Sequence, residues 1–82
     1  MTPTQTTARA LLTADDMERA AWRHADRCAI DGLYMTADRK AEALAAQQVT
    51  KAALADFEAA VGFLGGFAAI DRAVALAKRL GY

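Results

Sequence analysis

The stretch Ala59-Ala60-Val61-Gly62-Phe63-Leu64-Gly65-Gly66-Phe67-Ala68-Ala69-Ile70 decides how this chain folds. It contains no polar side chain, and it can be read in two ways. On one long helix running to about Leu80, the small residues Ala52, Ala55, Ala59, Gly62, Gly66, Ala69, Ala73 and Ala77 recur in steps of three and four. That spacing places them on a single face. A second stripe of Ala60, Phe63, Phe67, Ile70, Val74 and Ala77 runs beside it. The other reading is two helices that break near Gly65–Gly66. A glycine inside a helix costs about 1 kcal/mol relative to alanine, and three of them lie within five residues, which tilts the balance toward the break. The expected elements are helices over about 37–62 and 66–80, or one continuous helix across both.

A helix that is apolar on all sides must be covered by something. A ridge of Gly and Ala allows a second helix to approach closely, as small-residue faces do in membranes. The expected contact face is Ala55, Ala59, Gly62, Phe63, Gly66, Phe67, Ile70 and Ala73, and the expected state is an oligomer or a complex with another protein.

Upstream, Met1–Leu12 carries Thr2, Thr4, Thr6, Thr7 and the only proline, Pro3. It reads as a flexible tail over residues 1–12, ahead of a single helical domain over 13–82. Thr13 fits an N-cap, with Asp15 and Asp16 in the first turn and a staple between Leu12 and Met17. The first helix, about 14–31, then carries Met17, Ala21, His24, Cys28 and Met35 on a narrow face expected to turn inward. Arg19, Arg23, Asp26 and Arg27 fall on the other side. Gly32 is a plausible stop, and Thr36 with Asp38 marks the next start. No strand pattern appears, because apolar alternation never persists. The expected fold is all-α: a small helical hairpin or three-helix domain with a long Ala-rich C-terminal helical segment.

Composition narrows the function. Eighty-two residues make one small domain, and 22 of them are alanine, which buries little area per residue. Such a core gains from self-association. Lys+Arg and Asp+Glu are 10 each, so the net charge is zero, which disfavours a general nucleic-acid binder. The lone Cys28 excludes an internal disulfide, and residues 1–12 do not have the form of a signal peptide, so the expected location is cytoplasmic.

Candidates for chemistry are few. His24, Cys28 and Asp31 share a helical spacing, but a structural metal site needs four ligands, so no metal is expected. Cys28 sits in an apolar stripe, which makes it an inert thiol. Gly62-Phe63-Leu64-Gly65-Gly66 has no Lys or Ser/Thr after it, unlike a phosphate loop. Asp56, Glu58 and Asp71 point to different sides and read as solvated surface. No catalytic residue and no cofactor is expected. A helix-turn-helix with Gly32 at its turn would put Asp31 and Asp38 at apolar positions. A membrane span over Ala59–Ala77 would enclose Asp71 and Arg72, and its apolar run is too short. The expected function is a non-enzymatic protein–protein interaction or assembly module. A small adaptor or inhibitor of a larger protein, of phage or mobile-element type, a membrane-associated small helical protein of phage-lysis type, and a weak helix-turn-helix DNA binder are the alternatives, in that order.

Overall fold

The computed structural model describes the backbone over residues 2–30 and 37–81, with side chains at 2–25 and 40–80. Three helices pack together: α1 (Pro3–Ile30), α2 (Ala37–Val61) and α3 (Ile70–Gly81). A single 3₁₀ turn, Phe67–Ala69, leads into α3. No strand occurs among the described residues.

Helix α1 begins at Pro3, ten residues before the start expected at Thr13, so residues 3–12 are helix and not tail. Its start is a reciprocal cap. The Gln5 N–H donates to Thr2 Oγ1 at 3.2 Å, and the Thr2 N–H donates back to Gln5 Oε1 at 3.3 Å. Threonine followed three residues later by glutamine is the capping-box pattern. Pro3 stands at the first helical position, where its missing N–H costs nothing. The segment carries core residues: Ala8, Leu11 and Leu12 are all buried.

The inward face of α1 also differs from the expected one. Ala8, Leu11, Asp15, Glu18, Trp22 and Ala25 follow steps of three and four, and each is buried or half-buried. Met17 is instead 64% exposed, and His24 is exposed. The face expected from Met17, Ala21 and His24 therefore lies largely outside the core. Asp31, Gly32, Met35 and Thr36 lie outside the described residues, as does the side chain of Cys28.

Helices α1 and α2 form an antiparallel hairpin. The buried Thr50 hydroxyl contacts the Ala14 carbonyl of α1 at 3.2 Å and the Ala46 carbonyl of its own helix at 3.1 Å. It satisfies a buried polar group while fixing the helix register. Helix α2 stops at Val61 because Gly62 takes φ +103°, and its N–H donates to the Glu58 carbonyl at 2.7 Å. This is the single-bond glycine stop of a helix C-terminus. The chain then doubles back along the hairpin. Phe67, six residues past the end of α2, already lies beneath the Lys51 ammonium at 5.2 Å. From there α3 runs alongside α1, joining Ala73, Val74 and Ala77 to Ala8, Leu11, Leu12, Leu54 and Phe57 in one cluster. Asp71 in its first turn and Lys78 and Arg79 in its last suit the helix dipole. The three-helix core occupies the half of the hairpin where α1 begins and α2 ends.

Candidate functional site

The return loop is built around one carboxylate. Glu58 Oε2 accepts from the Leu64 N–H at 2.6 Å and from the Gly66 N–H at 3.2 Å. Both donors would otherwise be left unpaired at a helix end and a bend, and bonds to an ionised acceptor are the stronger kind. Gly62, Gly65 and Gly66 all have positive φ, a conformation that glycine adopts without penalty. Glu58 is therefore a structural staple and not the solvated surface group expected from its position. Val61, Leu64, Phe67 and Ile70 turn onto the core as half-buried side chains. Phe63, between them, points out and is 83% exposed.

The break divides the expected contact face. Ala55 and Ala59 are exposed on α2, and Gly62 and Phe63 are exposed in the loop. Gly66, Phe67 and Ile70 are half-buried, and Ala73 is fully buried in α3. No continuous ridge joins them. The all-round apolar helix does not form either, because its large residues split between the core and the loop.

Two exposed apolar side chains outside the expected face stand on the hairpin: Met17 on α1 and Val49, 59% exposed, on α2. Leu44 is a third, less exposed. A shallow cleft on α1 is lined by Asp16, Arg19, Trp22 and Arg23. Two of its four lining side chains are engaged within the chain. The Trp22 indole N–H donates to Glu18 Oε2 at 3.1 Å, and Arg19 Nε donates to Asp15 Oδ2 at 2.9 Å while Nη2 lies 3.9 Å from Asp71.

Among the described residues, no group of three His, Cys, Asp or Glu side chains could hold a metal ion. No buried side-chain polar atom among them lacks a partner. No helix among them is long and apolar enough to cross a membrane. Asp56, Glu58 and Asp71 do not converge, since Glu58 faces the loop and Asp71 stands beside Arg19. No family model matches this sequence, and no significant match emerges among curated proteins or solved structures.

Proposed function

We infer that this chain is a non-enzymatic helical protein–protein interaction module. One observation carries the reading: Phe63 is presented to solvent on a loop that Glu58 holds in place. Burying a phenylalanine gains roughly 1.5–3 kcal/mol, which this fold leaves unused in the single chain. An aromatic side chain on a fixed backbone loses little freedom when a partner covers it, and such anchors dominate interface energies. The antiparallel register of α1 and α2 also departs from the steep crossing of a helix-turn-helix.

The test is Phe63→Ser compared with the parent chain. Phe63 is 83% exposed, so the unfolding free energy should hold within about 0.5 kcal/mol. A protein captured stoichiometrically from the source cell by the parent chain should be lost by the variant. Equal capture by both would remove Phe63 from the interaction, and a large loss of stability would show that it serves the core.

A further inference from the structure

Among the described residues, no third helix covers the side of the α1–α2 hairpin that faces away from α3, and the chemistry of that side selects one occupant. Arg19 reaches toward Asp71 of α3, and Lys51 reaches Phe67 just before it. Residues two apart on a helix point in nearly opposite directions. Met17 and Val49 therefore both point away from α3, on a common outer face. The Thr50–Ala14 bond sets the heights. Counted outward from it in opposite directions along the two helices, Val49 lies within two residues of the level of Met17. Glu42 falls within two residues of the level of His24, and Asp56 within two of Arg9. Two residues of helix amount to about 3 Å. His24, Glu42, Asp56 and Arg9 are all exposed.

We propose that this face binds the same face of a second copy, about a two-fold axis running along the hairpin. Such an axis lays α1 of one copy over α2 of the other at equal height. Met17 then meets Val49, His24 meets Glu42, and Arg9, on the outer edge of α1, meets Asp56. Each contact occurs twice, as two-fold symmetry requires. The alternative axis, across the hairpin, would lay α2 over a reversed α2. Glu42 and Asp56 sit seven residues on either side of Val49, so that arrangement opposes acid to acid. The product is a bundle of four long helices with an α3 on each outer side.

This inference rests on the interaction-module reading and names the partner of the hairpin face. Sedimentation of the full chain over a micromolar range tests it, with circular dichroism as the folding control. The parent chain should be a dimer. Met17→Asp should keep its helical spectrum and raise the dissociation constant about a hundredfold. Arg9→Glu and Asp56→Arg should each weaken association about tenfold, and the two together should recover it. Phe63→Ser should remain dimeric. A monomeric parent overturns the proposal and leaves the Phe63 reading to its own test. A dimer that survives Met17→Asp but not Phe63→Ser also overturns it, by moving the contact to the loop. Failure of the paired charge reversal to recover binding overturns the parallel arrangement.

Discussion

Gly65 is the most constrained of the three loop glycines. It sits at φ +111°, and a Cβ built there would lie 2.9 Å from the Ala69 Cβ. Gly62 has a similar φ but open space around it. Gly65→Ala should therefore cost about 2 kcal/mol or more, from backbone strain and overlap together. Gly62→Ala should cost about 1 kcal/mol, from strain alone. Urea midpoints of the two variants check the order, and a neutral Gly65→Ala would mean that the loop does not take this shape. Glu58→Ala removes the acceptor of two loop N–H groups and should cost about 2 kcal/mol. Glu58→Gln keeps an acceptor oxygen and should cost about half of that. Proteolysis of the folded protein should quicken at 62–66 in Glu58→Ala, because the loop loses its anchor.

The helix ends show what could be read in advance. The break after α2 was legible, because three glycines in five residues are costly in a helix and suited to positive φ. The start of α1 was also written in Thr2-Pro3-Thr4-Gln5, but a threonine-rich run resembles a tail in composition, and the cap shows only in the spacing of Thr2 and Gln5. The inward face of α1 was hidden for another reason. Its repeat passes through Asp15 and Glu18, and it buries Ala8, Ala14 and Ala25 while Met17 stays outside. Asp15 is tolerated there because Arg19 bonds it at 2.9 Å, a partner that becomes evident only once the face is known. The outward heading of Phe63 was not legible, since a phenylalanine in an apolar run looks like core until the loop geometry turns it away. Deleting residues 2–12 should unfold the chain, where loss of a tail would leave it intact. Leu11→Ala should cost about 2–5 kcal/mol by the cavity it opens in a fully buried site. Thr2→Ala should cost about 1 kcal/mol through the lost cap. Circular dichroism during thermal unfolding measures all three.

With so much alanine, the three-helix core is thin, and among the described residues the third helix covers one half of the hairpin. Burial across the outer face would add to the stability of the single chain, so folding and pairing should be linked. The unfolding midpoint should rise with protein concentration in the parent chain and stay constant in Met17→Asp. A parent midpoint independent of concentration over a hundredfold range would separate the two processes.

The cluster that joins Ala8, Leu11 and Leu12 to Ala73, Val74 and Ala77 ties the earliest-made of the three helices to the latest. At about 5–20 residues per second, α1 waits roughly 3–10 s on the ribosome before the helix that completes its cover has been translated. During that interval its leucines are shielded by α2 at most. A nascent chain halted before residue 70 should therefore present a binding site to holding chaperones and be digested quickly, whereas emergence of α3 should end both.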